Sequence, residues 1–156
     1  MTDTDPRLDR SRILALDTDL EEVIGLLLGR AINPRQLWLL FLDHDDRLAD
    51  PIMPCDDYPA RPSDGPPMAD PREGDAAHVL AHRLAYICEA IGARRAVLVW
   101  ERRGPRRFGA NERLWAAAMA TACANARVDL RAQYVLHDRG IRAITPDDYA
   151  EPERAR

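Results

Sequence analysis

Apolar residues recur every three or four positions in three stretches of the chain, which is the spacing of one face of an α-helix. Thr18 and Glu21 stand at the spacing of a capping box at the start of the first stretch. Asp75 and Asn111 can cap the second and third stretches, and Gly92 can end the second. The predicted helices span residues 18–31, 76–91 and 111–126.

The second and third predicted helices each have one apolar face, which we expect to be buried. The buried face of the second helix consists of Leu80, Leu84, Ile87 and Ile91. The buried face of the third helix consists of Leu114, Trp115, Ala118, Met119, Ala122 and Ala126.

Other stretches are apolar at consecutive or alternating positions, as in β-strands. Residues 36–43 are apolar on both faces, which predicts a strand covered by helices on both sides. The polar turn at residues 44–46 then predicts a hairpin with a weaker strand. The remaining predicted strands span residues 47–53, 95–100, 129–137 and 141–144.

Because helices and strands interleave, the pattern predicts an α/β fold, a three-layer mixed sheet with flanking helices in a single domain. The 156 residues suit one such domain, which residues 11–146 would form. Residues 1–10 are charged and lack periodicity, which predicts a loose N-terminal arm, and residues 147–156 form a polar tail. Seven of the twelve prolines lie between Pro51 and Pro71, which predicts an irregular loop over residues 54–74.

Composition excludes several classes of protein. The formal net charge is −4, which argues against a general polyanion binder, and all 22 basic residues are arginines. The absence of lysine excludes Schiff-base chemistry and a phosphate-loop lysine. The N-terminus is acidic and polar, unlike a signal peptide, and no apolar run could span a membrane. Cys55, Cys88 and Cys123 are odd in number and widely spaced, so a reducing cytoplasm is expected.

Motifs for cofactors, metals and nucleophiles are weak or absent. The acidic turn that begins at Asp43 fails the EF-hand spacing, and neither serine stands in a nucleophile motif. His78 and His82 have the spacing of two metal ligands on one helix face, but they fall on the polar side of an amphipathic helix. We therefore expect no cofactor and no metal site.

The charge map is uneven. From Arg94 to Arg113 seven arginines stand against two glutamates, a net of +5, whereas residues 43–75 carry ten acidic residues and three arginines, a net of −7. The basic segment could be a solvated loop, could pair with the acidic segment within the chain or across a dimer, or could bind nucleic acid or another anion. Nearby aromatic residues could stack on bases or pack in the core. The candidate anion-binding or partner-binding residues are Arg102, Arg103, Arg106, Arg107, Trp100 and Glu101.

The predicted strand at residues 36–43 ends in Leu-Asp before a hairpin, and residues 96–99 of the predicted strand at 95–100 lead into Trp100, Glu101 and Arg102. From residue 18 to residue 145 this layout resembles the RadC-like branch of the JAB/MPN metalloprotease-like fold, which is similar in architecture to cytidine deaminases. In that family a helix follows the hairpin, the next strand ends in a His-x-His metal motif, and an Asp ligand follows at the start of the next helix. Trp100 and Arg102 stand where the resemblance implies the His ligands, and Arg113 stands near the implied Asp.

These observations favour a non-catalytic binding or interaction protein, a metal-free JAB-like domain that self-associates or binds a protein partner. A nucleic-acid accessory protein that binds through the arginine-rich loop is one alternative. A hydrolase of unrecognised type, with Glu101 or Asp43 as acid or base, is another.

Overall fold

Strands and helices alternate along the computed structural model of this chain, which describes residues 9–56, 58–63 and 75–149. The strands are β1 (Arg35–Leu42), β2 (Leu48–Cys55), β3 (Arg95–Arg102), β4 (Asp129–His137) and β5 (Gly140–Ile144). The helices are α1 (Asp17–Leu28), α2 (Ala76–Ile91), α3 (Ala110–Asn125) and α4 (Pro146–Tyr149). The predicted mixed α/β fold is confirmed.

The five strands form one mixed sheet in the order β2-β1-β3-β4-β5. Strand β1 runs antiparallel to both of its neighbours, β3 runs parallel to β4, and β5 returns antiparallel to β4. Because β3 lies in the centre and is apolar over most of its length, it is buried on both faces. The chain leaves the sheet at the end of β3, and this exit positions the candidate site.

Helices cover both faces of the sheet. Helix α1 packs on one face, where Leu20, Val23 and Ile24 meet apolar side chains of β1, β3 and β4. Helices α2 and α3 cover the other face, where Leu84 and Met119 are fully buried. The sheet therefore forms the middle of three layers. None of the helices in the described part of the chain combines the length and apolar character that a membrane span requires.

Several predicted boundaries are wrong, and the structure shows why. Residue Thr18 does not cap α1, because the helix begins at Asp17 after Leu16 with no side-chain cap. Asn111 lies inside α3, because the helix begins at Ala110, one residue earlier than predicted. The residue before the helix is Gly109, and the Glu112 carboxylate accepts its N–H. The Asp75 cap is confirmed, because its side chain accepts the N–H of His78 at 3.0 Å.

Two strands run further than predicted. Residues up to Cys55 pair with β1, so the irregular segment begins only after β2, an edge strand in which prolines are tolerated. Arg102 pairs with Arg35 of β1 and is therefore part of β3, whereas the sequence pattern placed Arg102 in the loop after the strand. The predicted polar tail begins with the short helix α4.

Two apolar residues predicted to be buried are exposed. Ile91 is the last residue of α2, just before the Gly92 cap, and it is 37% exposed. Leu114 is 48% exposed because the buried face of α3 centres on Trp115, Met119 and Ala122, and Leu114 turns away from them. The predicted N-terminal arm lies outside the described residues except for Asp9 and Arg10, and most of the predicted proline-rich loop also lies outside them.

Candidate functional site

The candidate site forms where β3 ends and the chain turns through residues 103–109 into α3. Successive side chains of a strand point to opposite faces. Trp100 and Arg102 therefore face α3, whereas Glu101 faces the segment that joins α1 to β1. Glu101 therefore has different surroundings from Trp100 and Arg102, although the three residues are consecutive in the sequence.

Arg102 fastens the loop that follows it, which we call the arginine loop (residues 103–109). Its guanidinium group forms an ion pair with Glu112 and donates to the carbonyl oxygens of Pro105 and Arg107, the latter at 2.7 Å. The same Glu112 carboxylate accepts the Gly109 N–H at 2.8 Å. Arg102 and Glu112 therefore hold both ends of the loop, and the donors of Arg102 are already in use.

Glu101 is a buried carboxylate with a full set of donors. One of its oxygens accepts the backbone N–H groups of Ile32 and Asn33 at 2.7 and 2.6 Å. The other accepts the side-chain amide of Asn33 at 3.0 Å and the indole N–H of Trp38 at 2.8 Å. Burial alone would raise the pKa of Glu101, but these hydrogen bonds outweigh it and lower the pKa. A fully hydrogen-bonded carboxylate of this kind is suited to holding two chain segments together rather than to transferring protons.

Three aromatic rings pack beside Arg102. The ring of Tyr58 lies edge-on to both Trp100 and Trp115, with centroid distances of 5.5 and 5.7 Å, and the two indoles are 5.2 Å apart. The indole N–H of Trp100 donates to the Gln133 side chain at 3.1 Å. Together with Arg35 and Glu112 they line a recess of about 170 Å³. This volume is below the usual range for cofactor or drug-sized ligand pockets, so the recess suits a single side chain.

The remaining arginines of the loop differ in their partners. Arg103 pairs with Asp138 at 2.7 Å. The side chains of Arg106 and Arg107 are exposed and make no hydrogen bond or ion pair within the described residues. The only free guanidinium groups of the arginine loop in that part of the chain are therefore these two.

The acidic segment does not pair with the arginine loop within residues 9–56, 58–63 and 75–149. Asp45 pairs with Arg47 at 3.2 Å, Asp46 with Arg95 at 3.3 Å, and Asp50 with Arg10. The expected intrachain pairing between the acidic segment and the basic segment from Arg94 to Arg113 is therefore seen among these residues at Arg95 of β3, but not at the arginine loop.

A groove of about 720 Å³ opens behind the arginine loop, between α3, β5 and α4. Phe108 and Leu114 form its apolar part, and the guanidinium group of Arg142 lies 4.2 Å from the Phe108 ring centroid. Arg107 and Arg113 line it together with Asp147 and Asp148. We call this feature the α3–α4 groove. It combines charges of both signs with one exposed apolar side chain, that of Leu114.

His137 lies beside the arginine loop at the end of β4 and is 4% exposed. Its Nδ1 accepts the backbone N–H of Arg139 at 3.2 Å. Burial, followed by the guanidinium groups of Arg102 and Arg106, lowers the pKa of His137 below its ordinary value of 6.5. Asp138 acts in the opposite direction, but its effect is smaller.

We expect His137 to make the protein less stable in mild acid. The unfolded chain binds a proton near pH 6.5 and the folded chain binds it only at lower pH, so the free energy of unfolding falls as the pH falls below 6.5. Urea unfolding followed by circular dichroism between about pH 7.5 and about pH 5.5 measures this slope. His137→Gln is expected to flatten the slope, whereas His44→Gln, in the exposed turn before β2, should leave it unchanged. An unchanged slope in His137→Gln would contradict the assignment.

The other sequence candidates lie apart from this site. Asp43 is a turn residue whose pKa is lowered, chiefly by a hydrogen bond from the Arg47 N–H. Burial raises the pKa of Cys123 to about 12, which disfavours a thiolate. Within the ranges that the structure describes, no group of three or more His, Cys, Asp or Glu side chains is arranged to hold a metal ion. His78 and His82 lie on α2, away from the end of β3.

Sequence reasoning missed Tyr58, His137 and Arg142, which the fold brings to this end of the sheet. No local signal marks them, because the aromatic partners of Tyr58 and Arg142, and the arginines beside His137, are far from them in the sequence. No protein-family model matches the chain, and no curated protein matches it either. Functional inference therefore depends on the geometry described above.

Proposed function

We propose that this protein is a non-catalytic interaction domain that forms a homodimer through the α3–α4 groove. The single observation that carries the proposal is the groove itself, in which Arg107 and Asp147 have no partner within the described residues while Leu114 stays exposed in the same groove. In a two-fold dimer the same patch meets itself, so a patch with both charge signs is self-complementary. In this dimer the basic residues of one copy meet the acidic residues of the other.

The state of the catalytic candidates favours a non-enzymatic role. Glu101 already accepts four hydrogen bonds, and Asp43 accepts the N–H groups of Asp45 and Arg47. A general acid or base must instead be able to contact substrate. The hydrolase alternative that relied on these two carboxylates therefore loses its candidates.

The two edges of the sheet are poorly suited to pairing with a second copy, which also favours the groove as the dimer interface. Strand β2 lies at one edge and contains Pro51 and Pro54, which lack the N–H that strand pairing requires. Strand β5 lies at the other edge and has only five residues. Neither edge is a good template for a second copy, which leaves a side-chain interface as the better choice.

We further propose that the domain is a metal-free relative of the RadC-like branch. The proposal starts from the order of the elements from α1 to β5, which is the feature on which the resemblance was based. Trp100 and Arg102 occupy the end of β3, and Arg102 pairs with Glu112 of the first turn of α3. In this proposal an ion pair between protein side chains takes the place of a metal with its ligands, and the domain binds rather than cleaves.

Reversing one charge of the groove is expected to weaken the dimer. Arg107→Glu and Asp147→Arg should each raise the dimer dissociation constant at least about tenfold, because like charges then face each other, and the double variant should recover much of the loss. Leu114→Glu should also weaken the dimer, since it puts a charge in the apolar part of the groove. Sedimentation velocity over a range of protein concentrations measures these constants.

A matched reversal outside the groove, Glu89→Arg on the exposed face of α2, is the control and should leave the constant unchanged. A monomeric wild-type protein, or groove variants with unaltered dissociation constants, would refute the proposal. If the monomer instead binds single-stranded nucleic acid with a steep salt dependence that Arg106→Ala and Arg107→Ala remove, the nucleic-acid alternative replaces it.

A further inference from the structure

Two imidazole rings meet on the N-terminal half of α2. His78 and His82 are four residues apart, and their ring centroids are 4.3 Å apart with an interplanar angle of 57°. The Asp75 cap fixes the first turn of the helix, where His78 stands. The helix therefore holds both rings next to each other, so no rearrangement of the backbone is needed to bring them together.

The ring nitrogens of this pair are available. His82 is exposed and His78 is partly exposed, and neither imidazole forms a hydrogen bond or ion pair within the part of the chain that the structure describes. An open groove of about 440 Å³ between α2 and α3 borders His78, lined by small and polar residues that include Thr121 and Asn125. This groove provides room for the water molecules that would complete the coordination of a metal ion.

Two histidines one helical turn apart form a chelate for borderline transition-metal ions. Imidazole suits copper, nickel and zinc, and affinity within this series is greatest for Cu²⁺. A structural zinc site needs about four protein ligands, so this pair is better suited to Cu²⁺ or Ni²⁺, which keep water in the other positions.

We propose that His78 and His82 together bind one divalent transition-metal ion per chain, with Cu²⁺ bound more tightly than Ni²⁺. Neither histidine lines the α3–α4 groove, which shares only Ala117 with the groove beside His78, so the proposal goes beyond the proposed function and does not depend on it. Because the bound ion links two turns of α2, it also stabilises the folded state.

Isothermal titration of the full chain with NiCl₂, and separately with CuCl₂, tests the proposal. We expect one ion per chain, with Cu²⁺ the tighter of the two. His78→Gln and His82→Gln should each weaken binding at least about tenfold, because a single imidazole loses the chelate. The metal should raise the melting temperature of the wild-type protein but not of either variant, and acidic buffer should abolish binding because protonated imidazole does not coordinate.

His44→Gln is the matched control, because His44 is also exposed but lies in an acidic turn with no second histidine beside it. This variant should bind both metals like the wild-type protein. Circular dichroism of each variant checks that α2 is retained. Equal affinity in His78→Gln, His82→Gln and the wild-type protein, or a loss of binding in His44→Gln, would overturn the proposal, whatever the dimer measurements show.

Discussion

Replacing Glu101 with alanine is expected to lower the free energy of unfolding by about 4 kcal/mol. The change leaves four donors without an acceptor: the N–H groups of Ile32 and Asn33, the Asn33 side-chain amide and the Trp38 indole. Each buried donor left unsatisfied costs about 1–3 kcal/mol, reduced where water can enter. Urea unfolding followed by tryptophan fluorescence and circular dichroism measures the loss.

A second variant separates the charge of Glu101 from its shape. Glu101→Gln keeps the size of the side chain but replaces one acceptor with a donor that faces other donors. We therefore expect the free energy of unfolding to fall by less than in Glu101→Ala. Glu89→Ala, on the exposed face of α2, is the matched control and should change stability by no more than about 0.5 kcal/mol. A loss below about 1 kcal/mol in Glu101→Ala would mean that the carboxylate is not a structural anchor.

The pH dependence of stability provides an independent check on Glu101. Its pKa is lowered from the ordinary value of 4.5, so the stabilisation is present above pH 4.5 and is lost as the pH falls further. This window lies below the one expected for His137, which begins at pH 6.5. Glu101→Gln should reduce the loss of stability in the lower pH range, to which Asp43 also contributes, and leave the upper range unchanged.

Replacing Arg102 with alanine is expected to lower the free energy of unfolding by about 3 kcal/mol and to release the arginine loop. The guanidinium group contacts Pro105 and Arg107 as well as Glu112, so its removal frees two carbonyl oxygens and leaves a partly buried carboxylate without its partner. Hydrogen exchange should accelerate at the amides of residues 103–109, while the amides of β1 remain protected. Urea unfolding gives the stability and mass spectrometry gives the exchange.

Arg106→Ala is the control for this experiment, because Arg106 belongs to the same loop but its side chain is exposed. It should change stability by no more than about 0.5 kcal/mol. Arg102→Lys keeps the positive charge but lacks the planar fork, and should recover only part of the loss. Equal behaviour of Arg102→Ala and Arg106→Ala would show that Arg102 is an ordinary surface residue.

These experiments separate two kinds of arginine that look alike in the sequence. Arg102 is a positioning residue for the arginine loop, and its loss should disturb any partner that the loop contacts. Arg107 is exposed and borders the α3–α4 groove, so its loss should affect association without unfolding the domain. The contrast follows from the positions of the two residues. Arg102 is the last residue of β3 and points toward α3, whereas Arg107 lies in the loop that follows β3.

The sequence by itself determined the order of the main helices and strands and the class of the fold, because both depend on local periodicity. The continuous apolar run in β1 and the Asp75 cap of α2 are signals of this kind, since each acts within a few residues of the chain. The unequal distribution of charge and the absence of nucleophile motifs were also visible without the fold.

Only the tertiary structure decided what each candidate residue does. The partners of Glu101 lie 63 to 69 positions away along the chain, and no pattern within one segment reports such contacts. The α3–α4 groove depends on how three elements meet, and Leu114 is exposed because the helix rotates it away from the sheet. Hydrogen bonding and burial are properties of neighbours in space, and folding alone determines those neighbours.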